Sequence, residues 1–186
     1  GFALVETADD PRAPWTGNGV GADEAIRGFH SVSMRLQDTA GTNYLLGLMG
    51  YEEIAKEGNV HRYRIKGQGN GADFVDIDVQ PLMNPARQGA GSVHHVAFAV
   101  DDRAAQLAVR EGLTSAGVPI TPVIDRDYFY AIYFRTPGGV LFEVATNEPG
   151  FDRDEDRAHL GEGLKLPSQH EHLRPHLEQT LQPIEA

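Results

Sequence analysis

Two stretches of the chain share one pattern: IRGFHSVSMRLQDT at residues 26–39 and AGSVHHVAFAVDDR at residues 90–103. When the two are aligned, His30 falls on His94, and apolar residues occupy every second position in both. Apolar residues with a period of two are typical of a strand that buries one face. The sequence therefore predicts an internal repeat in which each copy begins with a half-buried strand.

Each of these strands is followed by a segment of helical composition and then by further strands. We expect helices over 42–58 and 103–119, the second ended by Gly117 and Pro119. Further strands are expected over 61–67 and 72–81 in the first copy, and over 128–137 and 140–146 in the second. Each copy is then an α+β unit of strand, helix and about three strands, which buries its apolar sheet face by pairing with a partner.

The beginning of the chain has the same order of features as the end of the second copy. GFALVETADDP (1–11) reads like GGVLFEVATNEP (138–149), so we interpret residues 1–11 as the last strand of a preceding module. On this interpretation the chain is the C-terminal part of a longer protein. The remaining expected segments are a Pro- and Gly-rich linker (12–25), a first complete module (26–88), a second (89–150) and a polar tail (151–186).

Composition excludes several classes of function. The 16 Lys and Arg against 27 Asp and Glu give a net charge of −11, which argues against binding nucleic acid. No apolar run approaches the ~18 residues of a membrane helix, so we expect no membrane contact. The chain has no cysteine, which fits a cytoplasmic protein and leaves His, Asp and Glu as the side chains that could hold a metal.

Two residues of the second copy stand out as metal ligands. His95 shares a strand face with Ala97 and Ala99, which leave room for a ligand, whereas His94 falls on the bulky face that should pack on the helix. Glu143 lies inside the apolar strand VLFEVAT, where a carboxylate is costly unless it is paired or bound to a cation. A His–carboxylate pair with open positions suits Fe(II), and also Mn(II) or Zn(II).

Other polar residues are weaker candidates. Arg126 and Tyr133 flank the aromatic strand DRDYFYAIYFR (125–135) and could orient an anionic ligand or donate to a metal-bound oxygen. A third metal ligand would be His30 or a histidine upstream of this sequence, but His30 aligns with His94 and Ser31 takes the place of His95. The tail histidines are expected to be solvated: His159, His170, His172 and His176.

The stretches GSVHHVAFAV and DRDYFYAIYFRTPGGVLFEVATNEPGF resemble the vicinal oxygen chelate superfamily, which is built from paired βαβββ modules. The resemblance covers nearly the whole chain and is greatest to four-module, glyoxalase-family dioxygenases that cleave hydroquinone rings. It implies an open, curved mixed β-sheet with helices outside. It also implies that the chain supplies the end of module two and all of modules three and four.

The resemblance further implies roles for four residues. Fe(II) would be held by His95 and Glu143, and by a histidine of module one that lies outside this sequence. Arg126 and Tyr133 match pocket residues of the hydroquinone enzymes. Catechol-cleaving relatives carry a module-three histidine where this chain has Ser31, which favours the hydroquinone type. The implied reaction opens an aromatic ring beside its hydroxyl-bearing carbon, with the small aromatic substrate and O2 as partners.

Three alternatives stay open on sequence alone. The first is a glyoxalase-like isomerase or epimerase that uses Zn(II), Ni(II) or Co(II) and needs no O2. The second is a metal-free module that binds an aromatic ligand without consuming it. The third is a chain that folds without a complete site because module one is missing. We also expect a homo-oligomer, because apolar sheet faces without their partner modules are unstable in water.

Overall fold

Each copy of the repeated pattern forms its own four-stranded mixed sheet in the computed structural model. The structure describes residues 1–8, 10–67, 69–84 and 88–182. These residues divide into unit 1, which comprises residues 1–91 and 136–138, and unit 2, which comprises 92–135 and 139–186.

The sheet of unit 1 has the strand order β1-β4-β3-β2, with β1 parallel to β4 and the other neighbours antiparallel. Its core contains the fully buried Leu46 and Ile77. The elements are β1 (Ser31–Leu36), α1 (Ala40–Leu48), β2 (Tyr51–Glu57), β3 (Val60–Ile65) and β4 (Phe74–Val79).

The sheet of unit 2 repeats that topology in the order β5-β8-β7-β6, again with its first strand parallel to its last. Ile132 and Phe142 are fully buried between sheet and helix. The elements are β5 (Val96–Val100), α2 (Arg103–Ser115), β6 (Ile124–Asp125), β7 (Phe129–Arg135) and β8 (Leu141–Pro149). The predicted α+β class and the βαβββ repeat are therefore confirmed.

The helix expected over 42–58 is wrong in its second half. Helix α1 ends at Leu48, Gly50 has a φ of 89°, and residues 51–57 form the edge strand β2. The Glu, Lys and Ala residues of β2 favour a helix. Because β2 is almost wholly exposed, its sequence lacks the alternating apolar residues that would have indicated a strand. In unit 2 the stop signal is correct: α2 begins after Asp102, whose side chain accepts from Ala105 N, and Gly117 follows its end with a φ of 77°.

Residues 1–8 and 150–182 form little regular structure. No strand forms within residues 1–8, where Phe2 and Leu4 are exposed, because no described strand supplies hydrogen bonds to this segment. Its assignment to a preceding module, like the other segment boundaries, stays a prediction. After β8 come short 3₁₀ turns and the helix α3 (Arg174–Thr180). Across the described residues, no helix has the length and apolar character needed to cross a bilayer.

Candidate metal and aromatic site in unit 2

The two histidines predicted on the first strand of the second copy lie just before it. Strand β5 begins at Val96, so His95 is the residue immediately preceding the strand. Within β5 the predicted alternation holds, since Phe98 is buried while Ala97 is exposed. His94, however, is exposed rather than packed, because the strand's alternation does not extend back to it. Its Nδ1 lies 2.9 Å from Nδ1 of His95.

The predicted ligand pair, His95 and Glu143, is brought together in unit 2. Strand β8 carries Glu143 beside Ala97 of the parallel strand β5, two residues after His95. His95 Nε2 lies 2.7 Å from Glu143 Oε2, and the Glu143 side chain is only 4% exposed. A carboxylate this buried requires a compensating partner. The imidazole supplies that partner while remaining 33% exposed itself.

Tyr133 lies next to this pair, and Arg126 lies next to Tyr133. Tyr133 is directly opposite Glu143 in the antiparallel pairing of β7 and β8, and its ring meets the His95 ring edge-on at 6.2 Å. Arg126 Nη2 donates to Tyr133 Oη at 3.4 Å, and the guanidinium lies 5.4 Å from the ring centroid. Burial, together with the Glu143 carboxylate, raises the pKa of Tyr133, while the Arg126 hydrogen bond opposes that rise.

A cavity of about 330 Å³ opens on the His95–Glu143 pair. Three aromatic side chains line it: Tyr128, Phe129 and Phe151. Phe151 stacks on Tyr128 with ring centroids 5.4 Å apart and planes 14° apart. Sequence reasoning missed this wall, because it assigned the aromatic residues of 125–135 to the core. The signal available was Phe151 directly after a glycine, Gly150, whose φ of 94° in the structure is one that glycine readily adopts.

Unit 1 carries the counterpart of this site, with different residues at the matching positions. In unit 1 the sheet register places Asp76 where unit 2 has Glu143, and Arg62 where unit 2 has Tyr133. Asp76 is also buried, at 7% exposure, but Arg62 Nε and Nη2 each donate to it at 2.8 Å. A bidentate guanidinium neutralises such a carboxylate fully. Glu143 has no guanidinium partner among the described residues, so its site lacks the fixed cation that its counterpart holds.

Among the described residues, no third ligand joins the pair. Within residues 1–8, 10–67, 69–84 and 88–182, no three His, Cys, Asp or Glu side chains are grouped so that they could hold a metal. The His30 ring stacks on Phe74 at 4.9 Å, and its Nδ1 lies 3.1 Å from Ser31 Oγ. The tail histidines are exposed, as expected: His159, His170, His172 and His176.

Comparison with known proteins identifies the family of the chain. Residues 1–144 match the model of the Glyoxalase/Bleomycin resistance protein/Dioxygenase superfamily. The chain belongs to this superfamily. Its βαβββ repeat is the feature that the family resemblance predicted.

Individual relatives carry names from one branch of the superfamily. The chain is 41% identical over 184 residues to MhqO of Bacillus subtilis, named as a ring-cleaving dioxygenase, and covers 58% of that protein. It is 32% identical over 186 residues to a chlorohydroquinone/hydroquinone 1,2-dioxygenase of Sphingobium indicum, of which it covers 57%. These alignments take in 98% and 97% of the present chain.

A solved structure agrees with the fold. The crystal structure of a Bacillus subtilis protein named as a dioxygenase superposes with a TM-score of 0.86 at 41% identity, over 96% of this chain and 57% of that one. The present chain thus spans somewhat more than half the length of the relatives it matches.

Proposed function

We propose that the protein is an Fe(II)-dependent dioxygenase that cleaves the ring of a hydroquinone-type aromatic. The observation that carries this proposal is the convergence of His95 and Glu143 at an aromatic-walled cavity, with Tyr133 and Arg126 beside them. The names of the relatives support the same reaction. Because the chain spans little more than half of those relatives, the proposal concerns the whole protein to which these modules belong.

The pair fits a divalent metal on two counts. Two donor atoms each about 2.0–2.1 Å from a metal and about 90° apart lie about 2.9 Å from each other. The 2.7 Å between His95 Nε2 and Glu143 Oε2 is close to that spacing. Among the described residues, Glu143 also lacks a guanidinium such as the one that neutralises its counterpart Asp76. A bound cation would neutralise the negative charge of Glu143. Fe(II) in such a His and carboxylate set supplies open, redox-active positions for a phenolate and O2.

The chain's own residues would bind and orient the substrate. Tyr128, Phe129 and Phe151 offer flat apolar faces against which an aromatic ring packs while water is displaced. The Tyr133 hydroxyl can donate to a substrate oxygen, and burial moves its pKa further above neutral pH. Arg126 adds a permanent positive charge that favours the anionic form of a hydroquinone oxygen.

The proposed reaction is balanced without an added reductant. One carbon–carbon bond of the ring breaks beside a hydroxyl-bearing carbon, and both atoms of O2 enter the product. The ring carbons are oxidised by four electrons, and O2 accepts all four. An assay with ¹⁸O2 should therefore place two labelled atoms in each product molecule before any exchange with water.

The decisive experiment compares the full-length protein with His95→Ala, Glu143→Gln and the control His159→Ala, whose imidazole lies exposed in the tail. Each is loaded anaerobically with Fe(II), and iron content and hydroquinone-dependent O2 uptake are measured. We expect both to fall at least tenfold in the two site variants and to be unchanged in the control. Iron content and O2 uptake that persist in His95→Ala would refute the site.

Other outcomes separate the remaining members of the superfamily. Turnover of a substrate without O2 uptake would instead identify a metal-dependent isomerase. Tight binding of an aromatic ligand without metal and without turnover would identify a binding module. The third metal ligand and the association of two chains stay predictions, which the iron stoichiometry and sedimentation of the same samples address.

A further inference from the structure

The turn between β6 and β7 carries Arg126, and it is held in an unusual conformation. Asp127 has a φ of 70°, a left-handed value that is uncommon for a non-glycine residue, although Asp and Asn adopt it more readily than most. Within the turn, Asp125 Oδ1 accepts from Asp127 N at 2.7 Å, and Arg126 N donates to Phe129 O at 2.9 Å. These local contacts set the shape of the turn.

The segment that follows β8 adds a second set of contacts to the same aspartate. Arg153 Nη1 donates to Asp127 Oδ1 at 2.9 Å and also to the Asp127 carbonyl oxygen. Ser168 donates twice at 2.9 Å, from its backbone N to Oδ2 and from its Oγ to Oδ1. These hydrogen bonds, with the Arg153 charge, lower the pKa of Asp127, so the carboxylate is ionised at neutral pH.

The next residue of the turn is tied to the same segment. Tyr128 Oη donates to Asp154 Oδ2 at 3.1 Å, and the Tyr128 ring stacks on Phe151. Lys165 Nζ in turn donates to the Asp154 carbonyl oxygen at 2.8 Å. Residues 151–168 therefore hold the β6–β7 turn at two successive positions, Asp127 and Tyr128.

Arg126 immediately precedes Asp127 and Tyr128, the two residues that are held by the segment 151–168. The contact that keeps its own side chain beside Tyr133 is weak. The guanidinium reaches Tyr133 Oη at 3.4 Å, a long contact that by itself restrains a flexible side chain weakly. We propose that Asp127 is a positioning residue, which fixes Arg126 beside Tyr133 through the hydrogen bonds it accepts from Arg153 and Ser168. The inference deepens the proposed function, since Arg126 is there the residue that orients the substrate oxygen.

The test uses Asp127→Asn, because asparagine tolerates a positive φ and keeps the shape of the side chain while losing its charge and one acceptor. Ser168→Ala removes one of the donors and keeps the backbone N–H. Glu162→Gln is the matched control, since it removes a carboxylate from the exposed tail pair with His159. All variants are made in the full-length protein.

The first measurement requires no substrate. In protein labelled with [¹⁵N]arginine, and assigned with Arg126→Lys, the heteronuclear NOE of Arg126 Nε reports how firmly the side chain is held. We expect it to fall clearly in Asp127→Asn, less in Ser168→Ala, and not at all in Glu162→Gln. An unchanged Arg126 NOE in Asp127→Asn would overturn the proposal whatever the enzyme does.

The second measurement asks whether Asp127 acts through Arg126. We expect Asp127→Asn and Arg126→Met each to raise KM for hydroquinone about tenfold, and the double variant to raise it no further. Independent, multiplicative effects would show that Asp127 does not work through Arg126 and would refute the inference. If the wild type cleaves no ring while Asp127→Asn still loosens Arg126, the proposed function fails and the positioning role stands.

Discussion

Arg62→Met tests whether the buried carboxylate of the unit 1 sheet, Asp76, depends on a neighbouring cation for its stability. The substitution keeps the aliphatic bulk of the side chain and removes both 2.8 Å hydrogen bonds to Asp76. Breaking a buried ion pair from one side costs about 3–5 kcal/mol. Because the Arg62 side chain is 42% exposed, water reaches part of the carboxylate, and we expect a loss of about 2–3 kcal/mol.

Urea unfolding at pH 7 measures this loss, as a fall of about 1–2 M in the midpoint if the m-value is near 1.5–2 kcal/mol/M. Arg35→Met is the control, because the Arg35–Asp78 pair also joins neighbouring strands but its Arg side chain is 75% exposed. We expect the control to cost less than about 1 kcal/mol. The double variant Arg62→Met/Asp76→Asn should regain part of the loss, because no unpaired charge remains buried.

Equal, small costs for Arg62→Met and Arg35→Met would refute the reasoning. Asp76 would then tolerate burial without a cation, and its site would give no support for an external cation at Glu143.

Three further predictions concern other parts of the molecule. Burial raises the pKa of Tyr63 to about 12, against about 10 in the unfolded chain, so Tyr63 destabilises the fold as the pH rises from 10 to 12. Tyr63→Phe should flatten the decline of unfolding free energy in that window by up to about 1.4 kcal/mol per pH unit. Gln106→Leu should lower the free energy of unfolding, measured with urea, by about 2 kcal/mol. The reason is that the buried amide donates to Tyr130 O and Val144 O across the helix–sheet contact. Phe151→Ala should raise KM for hydroquinone about fivefold at unchanged iron content, because it removes one aromatic face of the cavity.

Each of these has a control or an outcome that contradicts it. Tyr44→Phe, at an exposed tyrosine, should leave the alkaline stability profile unchanged, and an identical change in both variants would contradict the first prediction. Unaltered stability in Gln106→Leu would mean that the two carbonyl groups do not depend on the amide. Loss of iron in Phe151→Ala would show that the ring supports the metal ligands rather than the substrate.

The repeat made much of the fold predictable from sequence. The alternation in 26–39 and 90–103 is strong because each strand buries one face, and the two copies reinforce each other. Strand β2 was missed for the opposite reason: it is an exposed edge strand whose composition favours a helix and whose pairing with β3 is a tertiary effect. The prediction that His94 packs on the helix was wrong. The alternation in the sequence already includes His94, whereas the strand itself begins only at Val96.

The site was predictable in part, for a related physical reason. A carboxylate inside an apolar strand is costly without a partner, so the sequence around Glu143 already indicates a site. The alternation of residues predicts that His95 lies on the open face of the same sheet. The aromatic wall and the contacts to Asp127 carry no comparable signal. Arg153 and Ser168 reach Asp127 across 26 and 41 residues of sequence, and neither residue is unusual for an exposed polar segment.

The aromatic wall has a consequence for how such proteins change over time. The His95–Glu143 pair depends on strand register, so an insertion or deletion inside β5 or β8 would separate the two side chains. Phe151, by contrast, lies beyond the last strand of the module, on a segment whose length no sheet register constrains. Substitution of Phe151 can therefore reshape the cavity while the duplicated scaffold stays intact. The candidate ligand pair and one aromatic face of the cavity thus lie on separate stretches of the chain, so the shape of the cavity can diverge while the pair is kept.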